Sequence, residues 1–122
     1  WSQVEMYGAP TARHARVAGA FVDWGIPTAV SIQYCRRAAP ELPIIASGGI
    51  RNGIDVAKSI ALGANLVGFA GDFLRAADQN GVAGVIEMAE TVTDELRVAM
   101  FCAGAENITA LGNTPLHTTY FK

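Results

Sequence analysis

Short apolar runs closed by glycine, alternating with stretches of helical period, set the pattern of this chain. Ile44, Ile45 and Ala46 form one such run after Pro43, the kind expected of a parallel strand covered on both faces. Ser47, Gly48 and Gly49 follow with little side-chain bulk. Helical spacing then runs over 52–62, with Ile54, Ala57, Ile60 and Ala61 on one face. Gly63 is placed to end that helix in the left-handed conformation. The pattern then repeats: a strand over 66–69 closes in Ala70 and Gly71, and Asp72 and Phe73 open a further helix.

The flanking segments extend the alternation. Residues 1–7 read as the tail of a loop running into a helical segment, and Gly8-Ala-Pro10 breaks it. Thr11 is placed to cap a helix over 12–24, with Ala15, Ala18, Phe21 and Val22 on its apolar side and Gly25 at its end. A strand is predicted over 28–32 after Pro27, and a short helix over 33–39 closed by Pro40. After the second glycine turn the pattern predicts a helix over 73–78 and a break at Gln79-Asn-Gly81. The longest helix then runs over 82–101, with Val85, Met88, Ala89, Val92, Leu96, Val98 and Met100 turned to a core. Gly104 ends it, a short helix over 106–111 turns back, and residues 113–122 read as a loose tail. Strands and helices alternating in this way predict an α/β fold with a parallel sheet.

Length and composition narrow this picture. The chain has 122 residues, roughly half of the ~250 that a closed (β/α)8 barrel needs. A hydrophobic fraction of 51% suits an α/β core and argues against disorder. Net charge is −2 with no Lys/Arg cluster, which argues against nucleic acid or an anionic membrane as partner. No apolar run reaches the ~18–20 residues of a membrane span. The first residue is Trp1 rather than Met, which reads as a fragment or a processed chain: one partial domain over 1–122. Cys35 and Cys102 are isolated and read as reduced core thiols. Asn107-Ile-Thr109 matches the glycosylation pattern, but with no secretory signal alongside it reads as chance.

The chemistry on offer is one anion site. A glycine pair alone is most simply a tight βα turn. Two successive strands each ending in glycine at a helix start match the phosphate site of a (β/α)8 barrel, built by the loops after its last two strands. Ser47, Gly48, Gly49, Ile50 and Arg51, with Ala70 and Gly71 beside them, would offer an oxyanion free amides, a helix N-terminus and a guanidinium. No Ser/His/Asp set, Cys/His pair or metal-ligand cluster emerges from the spacing. His14, Lys58 and His117 read as residues without a site role, and Asp72 as a helix cap turned outward. A site with no resident acid or base best holds the phosphate of a cofactor that carries the chemistry itself.

These residues resemble a known family. Trp24-Gly-Ile-Pro-Thr28, Ala46-Ser-Gly-Gly-Ile-Arg51, the helix through Leu62-Gly-Ala64, and Met100-Phe-Cys-Ala-Gly-Ala-Glu-Asn-Ile108 resemble the C-terminal half of type 2 isopentenyl-diphosphate isomerases. The resemblance implies half of an FMN-binding (β/α)8 barrel and conversion of isopentenyl diphosphate to dimethylallyl diphosphate. It implies reduced FMN as acid–base catalyst, regenerated with NADPH, and Mg2+ holding the diphosphate. It further implies a cytoplasmic enzyme that is homo-oligomeric when complete. By position, Gly48, Gly49 and Arg51 would cradle the FMN phosphate, with Ser47 and Ile50 adjoining and Ala70 and Gly71 closing the pocket. The family's substrate and Mg2+ residues lie in an N-terminal half that this chain lacks. Trp1 corresponds to the end of that half's Gly-Gly-Thr-Ser-Trp loop, and the segment alone is expected to be inactive.

Two other readings stand beside it. An FMN-dependent 2-hydroxy-acid oxidase or dehydrogenase would be expected to carry a His and an Arg near the strand before the glycine turn. Residues 28–33 offer neither. A half-barrel that binds phosphate without catalysis is the remaining alternative.

Overall fold

The computed structural model describes residues 2–117, with side chains described from Glu5 onward. The sequence readings placed on Trp1 and on 118–122 lie outside the described residues. Six helices and two strands follow one another: α1 Ser2–Tyr7, α2 Ala12–Gly19, α3 Thr28–Ala38, β1 Ile45–Ala46, α4 Gly53–Ala61, β2 Leu66–Val67, α5 Gly71–Cys102 and α6 Ile108–Gly112. β1 and β2 are parallel, with Ile45 opposite Leu66 and Ala46 opposite Val67. The fold is α/β, as the alternation predicted. No helix among the described residues is long and apolar enough to cross a membrane.

The β1–α4–β2 unit carries the core. Val56, Ala57 and Ile60 of α4 are buried against Val92 of α5, Ala105 and Leu111. A second cluster joins Ile32 of α3 to Ala46 and Ala64, with Ile50 and Val67 touching both. Each large aliphatic side chain fully removed from water here is worth roughly 1.5–3 kcal/mol. The buried stripe of α4 runs through Gly53, Val56, Ala57 and Ile60 rather than starting at Ile54, which is 51% exposed. Gly53 causes that rotation: a Cβ there would stand 2.4 Å from the Leu96 amide nitrogen and 2.5 Å from the Val92 carbonyl oxygen. The α4 backbone itself lies on α5, so the phase of the helix is fixed by glycine and not by the largest side chain.

The sequence reading of 28–32 as a strand is overturned. Thr28 to Ala38 is one continuous helix, and β1 and β2 are the two strands among the described residues. Pro27, with φ −54°, opens the helix, and its carbonyl accepts from the amides of both Val30 and Ser31 at 2.9 Å. A five-residue stretch with Ala29, Val30 and Ile32 as its apolar positions cannot be told from a helical segment by period alone. Here no breaker separates it from the helix-favouring Arg36-Arg37-Ala38, so the helix extends backward over it. Helix α2 also ends sooner than expected, at Gly19, although Thr11 caps it by accepting from the His14 amide at 3.3 Å.

Further downstream, α5 begins at Gly71 and continues through Gln79 and Asn80. The break falls on Gly81 alone, with φ 57° and ψ −140°. The two halves fold sharply there, because a Cβ on Gly84 would stand 2.5 Å from the Ala76 carbonyl oxygen. Val98, expected inward, is 62% exposed, whereas Met88, Leu96 and Met100 pack on the core. Cys35 and Cys102 are free thiols as expected but lie on the surface, not in the core. Asn113 and Thr114, at the start of the segment read as a tail, hydrogen-bond back to Ala110 and Leu111. Asn107 caps α6 through its side-chain oxygen, at 2.9 Å from the Ala110 amide.

The strands are not covered on both faces. Ile45 and Leu66, directly opposite one another, are 66% and 62% exposed, so the sheet face away from the helices is apolar and open among the described residues. At the strands' N-terminal ends, Arg36 ties the layers together. Its guanidinium donates to the carbonyls of Pro40, Leu42 and Gly63 and to Oδ1 of Asn65, at 2.6–3.0 Å. Asn65 Oδ1 also accepts from the Ile44 amide at 2.9 Å, joining the two strand starts. Arg36→Ala is expected to lower stability by about 2 kcal/mol, because it strands several carbonyls and the Asn65 oxygen at once. Urea unfolding followed by circular dichroism measures this, and Arg36→Lys should rescue little because an ammonium cannot span the same acceptors.

Candidate functional site

The parallel register delivers two loops to one end of the sheet. Ser47 follows Ala46 and Gly68 follows Val67, and the Gly68 amide donates to the Ala46 carbonyl at 2.7 Å. A Cβ on Gly68 would lie 3.6 Å from Ser47 Oγ, so the strand ends touch. Beyond them run the 48–52 loop into α4 and the 68–70 loop into α5. Both leave the C-terminal end of a parallel pair, where open α/β sheets and barrels place their ligands.

The first loop turns on two left-handed glycines, with φ of 102° at Gly48 and 76° at Gly49. These angles cost an L-residue roughly 1–2 kcal/mol, which explains the glycine pair. Around Gly49 nothing stands within 4 Å of where a Cβ would be, so its backbone faces open space. Among the described residues, the amides of Gly48, Gly49 and Ile50 find no acceptor in the chain. Arg51 is exposed, and its guanidinium enters no ion pair among the described residues. Thr28, at the start of α3, holds the turn from beneath: its hydroxyl donates to the Gly48 carbonyl at 2.8 Å.

The α4 N-terminus departs from the sequence reading. Two of its amides are already used within the chain: Gly53 donates to Glu95 Oε2 at 2.6 Å and Asp55 to Asn52 Oδ1 at 2.8 Å. The Arg51 amide donates to Asp55 Oδ2 at 3.2 Å. The first turn of α4 is therefore pinned, while the glycine amides just before it stay open. The second loop supplies the other helix start. Ala70 is the N-cap of α5 and offers no side-chain cap, and both Ala70 and Gly71 are exposed. Asp72, read as a cap, instead lies in the first turn because α5 starts at Gly71, and it pairs with Arg75. That pairing offsets the charge of the acid in the first turn of α5. Arg75 also lies over Gly71, with Nη1 3.4 Å from where a Cβ would stand.

A cavity of about 230 Å³ opens beside β1, with the hydroxyls of Thr28, Ser31 and Ser47 and the apolar Ile26, Ile32 and Ile45 among its lining. A larger depression of about 490 Å³ lies away from the loops, on the solvated face of α5 around Thr93 and Arg97. Sequence reasoning missed Thr28, Arg75 and Glu95. Thr28 stood inside a quoted motif but in an element assigned as strand, and Glu95 lies 42 residues from its partner with no local signal.

A profile of the FMN-dependent dehydrogenase family matches residues 18–118, and the chain belongs to that family. Its solved relatives include a mandelate oxidase bearing a monooxide FMN adduct, 31% identical with a TM-score of 0.72 over 75% of this chain and 30% of that one. A protein described as a lactate oxidase from Pediococcus acidilactici is 28% identical, with a TM-score of 0.73 over 85% and 32%. Among curated relatives, the isopentenyl-diphosphate delta-isomerase of Xanthobacter autotrophicus is 51% identical over 88% of this chain and 31% of its own length. That of Rickettsia felis is 40% identical over 95% of this chain and 33% of its own length. The resemblance to isopentenyl-diphosphate isomerases drawn from the sequence is thereby met. The chain spans about a third of the length of these curated relatives.

Replacing Thr28 with Val keeps its shape and removes the hydroxyl that supports the Gly48 carbonyl. The expected loss is about 1 kcal/mol of stability, read as a lower thermal midpoint. An unchanged midpoint would show that the turn stands without Thr28.

Proposed function

We propose that this chain carries the FMN-phosphate site of an isopentenyl-diphosphate delta-isomerase and forms, as one partial domain, part of the C-terminal half of its (β/α)8 barrel. The observation that carries the reading is the pair of glycine loops leaving one end of a parallel strand pair, with three open amides and an unpaired guanidinium between them. A phosphate dianion suits that donor set: backbone N–H groups approach closely where no Cβ intervenes, and Arg51 offers a planar fork. In this reading Ser47, Gly48, Gly49, Ile50 and Arg51 bind one side of the phosphate and Ala70 and Gly71 the other. The exposed face of Ile45 and Leu66 becomes barrel interior.

Reduced FMN, when bound, would supply the proton transfers of the allylic shift without net oxidation. This chain's residues would bind and orient the cofactor: the glycine amides fix the phosphate, and Thr28 and Asn52 hold the loop that presents them. The Mg2+ and NADPH that the resemblance implies are assigned to no residue of this chain. The isomerase reading is preferred to a 2-hydroxy-acid oxidase because isomerase relatives reach 40–51% identity and the oxidase structures 28–31%.

Titrating the 122-residue chain with FMN and following flavin fluorescence tests the cradle. Saturable binding is expected, and Arg51→Ala should weaken it roughly 10- to 100-fold, the worth of a charge-assisted bond. Equal affinity in the variant removes Arg51 from the site, and no saturable binding by the parent refutes a self-sufficient cradle. Gly49→Val should abolish binding while the chain stays folded, because its side chain would fill the open space the phosphate needs. Normal flavin content in that variant would place the phosphate elsewhere.

A further inference from the structure

Glu95 lies on the outer helix α5, yet its carboxylate reaches the start of α4. Oε2 accepts from the Gly53 amide at 2.6 Å, and among the described residues it enters no ion pair. The contact is half-buried and closely seated, since a Cβ on Gly53 would stand 2.6 Å from Glu95 Cβ and nearer still to the α5 backbone. From Gly53 the restraint passes back along the chain. Asn52 caps the same turn through Asp55, and Asp55 holds the Arg51 amide. Beyond Arg51 the amides of Ile50, Gly49 and Gly48 are open, and the loop is held there by the packed Ile50 side chain and by Thr28 on the Gly48 carbonyl.

We infer that Glu95 is a positioning residue for the anion loop: its carboxylate on the Gly53 amide fixes where Arg51 and the 48–50 amides point. This rests on the reading that the loop holds the FMN phosphate. The charge has a second consequence. The N-terminus of α4 carries about half a positive charge, and Glu95 satisfies it from the side of α5. The phosphate is then held by the glycine amides, Arg51 and the start of α5, not by α4. Glu95 never touches the anion, and its acceptor oxygen matters more than its charge. A glutamine would serve the same bond.

The test uses the 122-residue chain with Glu95→Ala and Glu95→Gln, read by FMN titration and by residue-resolved amide hydrogen exchange. In Glu95→Ala, exchange at the bonded amides of Arg51, Gly53 and Asp55 should rise about tenfold while that of α6 stays at the parent level, and FMN affinity should fall about tenfold, the worth of one hydrogen bond. Glu95→Gln should restore both to near the parent. A purely structural role would raise exchange evenly over α4, α5 and α6 and leave the affinity of the folded fraction unchanged, and either result overturns the proposal. A parent chain that does not bind FMN sinks the cofactor reading alone. Exchange then still decides the matter: a rise confined to the Arg51, Gly53 and Asp55 amides sustains the positioning role, and a uniform one removes it.

Discussion

The approach of α4 onto the backbone of α5 at Gly53 is the constraint on which the rest of this structure depends. With a Cβ excluded to within 2.4 Å of the Leu96 nitrogen, the two helices meet as backbones. That contact rotates α4 so that Val56, Ala57 and Ile60 enter the core beside Val92. It also brings the Gly53 amide onto Glu95. The Gly53 amide at the first turn of α4 is thereby satisfied without any external group. What remains open lies one step earlier, at the glycine pair, and the separation between a closed helix start and an open loop follows from a missing methyl group.

Local chemistry made the centre of the fold legible and long-range contact hid its margins. The unit of β1, α4 and β2 could be read because each of its signals is adjacent in sequence: an apolar run, a glycine pair, a stretch of helical spacing and a left-handed Gly63 with φ 112°. Residues 28–32 could not be assigned that way. Val30 and Ile32 favour a strand by type, but Pro27 opens a helix and nothing stops it. Ile54 was read inward from helical spacing with Ala57, Ile60 and Ala61, whereas the phase of α4 is set by a partner 42 residues away. Cys35 and Cys102 were placed inside on residue type alone, and both are exposed, Cys35 at the open cavity beside β1. For the candidate site, the loops themselves were legible, and the residues that hold them in place were not.

The kink at Gly81 shows the same division within one helix. The sequence marks the break by its glycine, but only the fold shows why a second glycine follows at 84. With the chain turned sharply, Gly84 lies against the Ala76 carbonyl, and any side chain there would force the halves apart. Phe69, Met88, Leu96 and Met100 are thereby gathered over the same core that α4 fills. The α5 start beside the glycine loop and the α5 surface that seats α4 belong to opposite halves of this bent element, so the bend relates the two sides of the site.

Stability and binding are allotted to opposite ends of the two strands. At the N-terminal ends, Arg36 and Asn65 consume nearly every available acceptor, joining α3, the 39–43 loop, the α4 C-terminus and both strand starts. A one-residue slip of β2 would break the Asn65 bonds to both Arg36 and the Ile44 amide, so the register is held there. At the C-terminal ends the same register brings Ser47 beside Gly68, and beyond them the amides of Gly48, Gly49 and Ile50 have no partners among the described residues. Unsatisfied donors are tolerable only where water or a ligand reaches them. The open end can therefore remain unsatisfied because the closed end fixes the strands. A loop that must meet an anion by backbone alone needs that rigidity from elsewhere, and here it comes from Arg36 below and from Thr28 and Glu95 at the flanks.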